Sequence, residues 1–214
     1  MSQGSFDPNC VRCPRLAHHL AALRREHPSY HNRPVAPFGD PGARLLIVGL
    51  APGRHGANAS GRPFTGDFAG ILLYRTLHAH GFASRPESIE VGDGLELHDC
   101  RITNAVKCLP PENKPTTQET IRCNVFLGRE LERHPPTGVV LALGAIAHRA
   151  VLRAFDLKPG AYPFGHGAEH RLPTGHLLID SYHCSRYNTQ TGRLTEAMFS
   201  KVLSRARLAL TERA

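Results

Sequence analysis

Four apolar runs punctuate the chain, and each is followed by a segment whose apolar positions recur at helical spacing. The runs are Arg44–Leu50, Cys100–Val106, Gly138–Leu143 and Gly175–Ser181, and the helical segments are Phe68–His80, Thr117–His134, Ala145–Phe155 and Leu194–Leu210. From Val139 to Leu143 the apolar character is unbroken, as expected of a strand covered on both faces. Strand and helix alternating at this scale predict an α/β fold, three-layer α/β/α, around a central, mainly parallel four-stranded sheet. Ahead of it, residues 7–40 offer Cys10 and Cys13, a helix near Leu16–Glu26 and a proline-rich extended piece. That arm has no core of its own, so a single domain over residues 1–214 is expected. Residues 160–175, rich in Gly, Pro and His, read as an irregular excursion.

The 214 residues suffice for one good core, and 41% hydrophobic content suits a globular protein. No apolar run approaches the ~20 residues that span a bilayer, and the N-terminus lacks the pattern of a secretion signal, so a cytosolic monomer is expected. Formal net charge is +8, with arginine dominating lysine. A basic surface draws phosphate polyanions, although charge alone only modestly favours nucleic acid over a solvated face without a partner. No block of like charges forms a tail. Most of the fourteen histidines, such as His18, His19, His78 and His80, fall in helix-like stretches as ordinary surface residues.

Chemistry concentrates after the first run. Residues 49–70, GLAPGRHGANASGRPFTGDFAG, hold six glycines between an apolar and an amphipathic segment. Glycine lets a backbone turn and approach a ligand closely, and loops after buried strands are where α/β proteins place their sites. The loop has no Gly-Lys-Ser/Thr for phosphates and magnesium and no Gly-x-Gly-x-x-Gly spacing for a dinucleotide. Cys10 and Cys13 form a C-x2-C pair; Cys108 follows the second run and Cys123 lies in the next helix. Four thiolates suit a tetrahedral zinc or a four-iron cluster, and spacing does not choose between them. Of the two remaining cysteines, Cys100 opens a strand as a buried apolar residue, and Cys184 fills space beside His183.

The glycine loop, NAVKCLPPENKP at 104–115, the four cysteines and HCSRYNTQTGRL at 183–194 together resemble the uracil-DNA glycosylase superfamily, with a close match to its type B (family five) members. The resemblance runs from Cys10 to Leu194, and the shared order and spacing of the motifs make it specific. It implies a DNA-repair enzyme that flips uracil out of DNA and hydrolyses it away, with hypoxanthine and other deaminated bases as further substrates. It implies a [4Fe-4S] cluster on Cys10, Cys13, Cys108 and Cys123, stapling the arm to the loop of Asn113 and Lys114. Phe64 is the stacking platform implied, with Gly49, Ala51 and Gly53 beside it. Asn104 and Asn113 are alternative amide readers of the base edge. His183 is implied to face the leaving base.

At Ala51 most families of the superfamily carry an acid or amide; type B members share the alanine, and there the aspartate of FTGD is implicated. Asp67 is thus the implied residue for sugar and water, with an N-cap as its alternative role. Asn113 joins the catalytic set. Arg62, Lys114, Ser185, Arg186, Tyr187 and Asn188 are expected to touch DNA, Tyr187 as a wedge or a packing residue. Ala59–Ser60 replaces a common Arg-Thr and removes one phosphate contact. Two rival readings are a non-catalytic damaged-DNA binding module and a metal-stabilised scaffold with a small-molecule pocket.

Overall fold

A computed structural model describes residues 6–213. Four strands form the expected parallel centre: β2 (Leu45–Gly49), β3 (Cys100–Asn104), β4 (Val139–Leu143) and β6 (Leu177–Ser181). Short antiparallel strands β1 (Phe38–Gly39) and β5 (Glu169–Arg171) add the edges, giving the order β1-β3-β2-β4-β6-β5. The sheet thus has six strands, two more than the sequence pattern predicts. The edge pieces are two and three residues long, and β5 lies within the stretch read as an irregular excursion. Neither is long enough to display a period of two.

Every residue of β2, β4 and β6 is buried, because helices cover both faces. Along β2 the side chains alternate. Leu45 and Ile47 join the core under α3 (Phe68–Ala79) and α7 (Glu196–Glu212), while Leu46 and Val48 join the core under α4 (Thr117–Leu131) and α5 (Ala145–Ala154). The helix expected from Leu194 begins at Glu196, capped by Thr195, and the short helix α6 (Arg186–Gln190) precedes it. Another short helix, α2 (Ala57–Ser60), interrupts the glycine loop.

The arm forms α1 (Pro14–Glu26), whose Leu16, Leu20 and Leu23 pack with Val106, Leu109 and Phe126 in a third core that includes Cys108 and Cys123. Arg15 adds a two-pronged hydrogen bond to Glu119, which itself completes the capping box at the start of α4. The arm is therefore held by the core beside the cysteines. The parallel register aligns Gly49 with Asn104 and Leu143 with Ser181, so the loops carrying the motifs leave the same sheet edge.

Candidate active site

A cavity of about 480 Å³ opens at that edge. Its lining includes Ala51, Gly53, Phe64, Asp67, Asn104, Asn113, His183, Ser185 and Arg186. Residues 143–146, at the turn from β4 into α5, line it as well and are absent from the sequence-based set. The signal for them was Gly144 between an apolar strand and a helix, an open turn at φ +97°.

Phe64 is held in an unusual conformation, at φ +54°. Its ring is nearly parallel to that of His183, with centroids 5.9 Å apart and planes 29° from one another. Close packing fixes it there. A methyl group on Gly49 would meet the Phe64 ring at 2.7 Å, and one on Gly70 would collide with the Phe64 carbonyl. Tyr74 donates its hydroxyl to the Pro63 carbonyl at 2.7 Å.

Arg62 is corrected by the structure: it does not reach for DNA. Its side chain is buried, with both terminal nitrogens on the Asp93 carboxylate, at 3.0 and 2.6 Å, and Nε on the Thr65 hydroxyl. Asp93 is thereby held well below the usual carboxylate range, by Arg62 first and by the backbone N–H groups of Leu95, Ile89 and Glu90. The pair braces the turn that presents Phe64.

Asp67 fills the capping role and turns its other oxygen toward the glycine loop. Oδ1 accepts the Gly70 N–H at 2.8 Å and caps α3. Oδ2 faces Gly53 and Gly56, where an added Cβ would stand 3.6 and 2.6 Å away. Burial raises the Asp67 pKa, against the lowering effect of the Gly70 and Ala69 N–H groups. His183 is lowered to about 4 by burial, so at neutral pH it is an uncharged imidazole. Its carbonyl accepts the Asn188 amide at 2.7 Å, and Ser185 caps α6; these two residues shape the loop.

Asn104 is buried, and its Oδ1 has no hydrogen-bond partner among the described residues. An orphaned acceptor on a cavity wall is poised for an N–H from a ligand. Asn113 also lines the cavity, from two successive left-handed residues, Glu112 at φ +55° and Asn113 at φ +57°. Lys114 is solvent-facing beside Glu112. Arg186 lies over the Phe68 ring, 5.1 Å from its centroid. Tyr187 is 71% exposed, so it takes no part in the core. Cys184 is fully buried, and burial pushes its thiol far up, away from the thiolate that a nucleophile requires.

Cys10, Cys13, Cys108 and Cys123 line one pocket, with Arg12, Lys107 and Arg122 around them. The Lys107 N–H donates to Cys123 Sγ at 3.3 Å, a contact suited to a metal-bound thiolate. Burial raises the Cys108 and Cys123 thiols, the latter to about 11, so a positive centre is what would keep them deprotonated. A single zinc, with Zn–S near ~2.3 Å, would draw four sulfurs to within about 4 Å of one another. Among the described residues, the metal-ligand atoms gathered within 4.8 Å of one another belong to His148, His170 and Asp180, not to the cysteines. Four thiols around one pocket are a donor set that suits either a zinc or a four-iron cluster.

The family model of the Uracil DNA glycosylase superfamily matches residues 36–207. A type-5 uracil-DNA glycosylase of Thermus thermophilus is 49% identical, covering 92% of each chain. That of Pyrobaculum aerophilum is 43% identical over 92% of this chain and 88% of its own. A type-4 uracil-DNA glycosylase of Archaeoglobus fulgidus is 36% identical over 58% of this chain and 55% of its own.

Proposed function

The chain belongs to the uracil-DNA glycosylase superfamily, among its type-5 members, and from that premise we propose how its pocket removes a base from DNA. The enzyme is a uracil-DNA glycosylase, a hydrolase of N-glycosidic bonds acting in DNA repair. A flipped uracil stacks against Phe64, and the orphaned Asn104 Oδ1 accepts its N3–H. That buried acceptor is the observation that carries the base assignment, since a base without an N–H there would leave it unsatisfied. Asn113, from the loop that follows Asn104, supports the base or the attacking water.

Water then bonds to the sugar C1′ as the bond from C1′ to the base nitrogen breaks. Neutral His183 donates toward the oxygen on which negative charge grows, and Asp67 Oδ2 faces the positive sugar and orients the water. The water's proton passes by way of Asp67 to solvent, the base leaves, and an abasic site remains. Hypoxanthine shares with uracil an N–H beside a carbonyl, so it satisfies the same acceptor; its larger ring is accommodated by the small side chains of Ala51 and Ala145. Lys114, Arg186 and Tyr187 supply phosphate contacts and the wedge.

Incubation with a labelled uracil-containing oligonucleotide, followed by alkali, should produce cleavage at the uracil position. Binding without cleavage would favour the damage-binding module instead. Affinity for duplex DNA should fall steeply as salt rises, because the positive groups displace counterions from phosphates. An affinity flat between low and moderate salt would refute phosphate-driven binding.

Cys10, Cys13, Cys108 and Cys123 hold a [4Fe-4S] cluster in this reading, and its chemistry is structural: it ties α1 to the loop of Asn113. Protein purified without oxygen should contain about four irons and four sulfides per chain. One zinc with no iron would overturn the assignment.

A further inference from the structure

Away from the base pocket, His148 of α5, His170 of β5 and Asp180 of β6 bring one ligand atom each to within 4.8 Å of the others. His148 Nε2 lies 2.9 Å from the Tyr162 carbonyl oxygen. A carbonyl only accepts, so Nε2 carries a hydrogen, and in the neutral ring Nδ1 is a lone pair. Nδ1 nevertheless sits 2.8 Å from Asp180 Oδ1. Two acceptors that close require a cation between them, a proton or a metal.

The second carboxylate oxygen separates these alternatives. Asp180 is fully buried, and its Oδ2 has no hydrogen-bond partner among the described residues. It stands 3.7 Å from His170 Nε2, which spends its hydrogen on the Pro163 carbonyl 3.2 Å away. A proton on His148 settles the first contact and leaves Oδ2 bare in a dry interior, which is costly. A divalent cation satisfies both oxygens.

We propose that His148 Nδ1, Asp180 and His170 Nε2 bind a zinc-class divalent cation, separate from the four cysteines. His170 exchanges the Pro163 carbonyl for the metal, and with both Asp180 oxygens bound the three residues supply four donor atoms. Two imidazoles and a carboxylate are a zinc-type donor set, unlike the all-oxygen shells of calcium or magnesium. Holding the outer N–H of a ligating histidine on a backbone carbonyl is the support such ligands use, and Tyr162 provides it. Entry is from the His170 side, whose side chain is 13% exposed against 2% for His148. The bound ion would clamp α5 and the β5–β6 pair just ahead of His183.

Cobalt(II) reports ligand type directly. The intact protein, its cysteine-bound metal measured beforehand, is titrated with cobalt and followed by visible absorption. One equivalent should bind with the weak bands of nitrogen- and oxygen-ligated tetrahedral cobalt, without an intense sulfur-to-cobalt band, and zinc should abolish them. Affinity should drop by more than ~10-fold in His170→Ala, the lower end of what losing even a supporting partner costs. Asp180→Asn, if it folds, should bind none. Absence of such bands in the parent protein, or equal uptake by His170→Ala, would overturn the site and leave the pair holding a proton only.

Discussion

Asp67→Asn slows single-turnover uracil release by about 10²-fold or more, while DNA binding persists. The amide keeps the shape and the capping oxygen that accepts the Gly70 N–H, and it deletes only the charge facing Gly53 and Gly56. Stability is expected to stay level or rise. Burial raises the Asp67 pKa, so its ionised form costs folding energy. That cost is absent below the unfolded value and sets in as pH climbs through the folded one, so removing the charge relieves it at neutral pH. The parent's rate should fall on acidification at a pH above that of an unperturbed aspartate, and the Asn variant should lose that limb. Wild-type excision by Asp67→Asn would make the residue a helix cap alone and shift water positioning to Asn113.

His183→Ala should reduce excision by about 10²–10³-fold, the scale of one well-aimed donor to a developing negative charge. Because burial lowers this histidine to about 4, it is neutral throughout the physiological range, and its titration should leave the rate flat between roughly pH 6 and 8. The same shift contributes to acid sensitivity. The unfolded chain takes up the proton near pH ~6.5, so stability from this group is full above that value and is lost as pH falls toward about 4. His183→Ala should flatten that part of the stability curve. A rate that falls in the parent as pH rises through about 7, and is flat in the variant, would instead indicate a histidine that acts in its protonated form.

The parallel centre of the sheet was legible because each of its strands is an apolar run buried on both sides. The edges were not, since Phe38–Gly39 and Glu169–Arg171 are short and half exposed, and pairing alone makes them strands. Phe64, Asp67, Asn104, Asn113 and His183 were readable as a set and converge on one cavity. Arg62 was misplaced because an arginine in a glycine-rich loop looks the same whether it faces phosphate or protein. Its partner Asp93 comes from a loop 31 residues later, and no local pattern announces it. Nor does sequence reveal that the Asn104 Oδ1 is orphaned, which depends on what the neighbouring strands leave unpaired.

The glycines that press on Phe64 also limit how this pocket can be re-engineered. Positions 49 and 70 have no space even for a methyl group, so any substitution there disturbs the aromatic platform before it touches the base. Base preference must therefore be altered at positions whose side chains line the cavity without pressing on Phe64: Ala51 within the glycine loop, and Ala145 and Ile146 at the turn from β4 into α5. A library randomised over residues 49–70 would mostly return inactive protein, whereas one restricted to those three positions could tune which damaged bases are admitted without losing the platform that holds them.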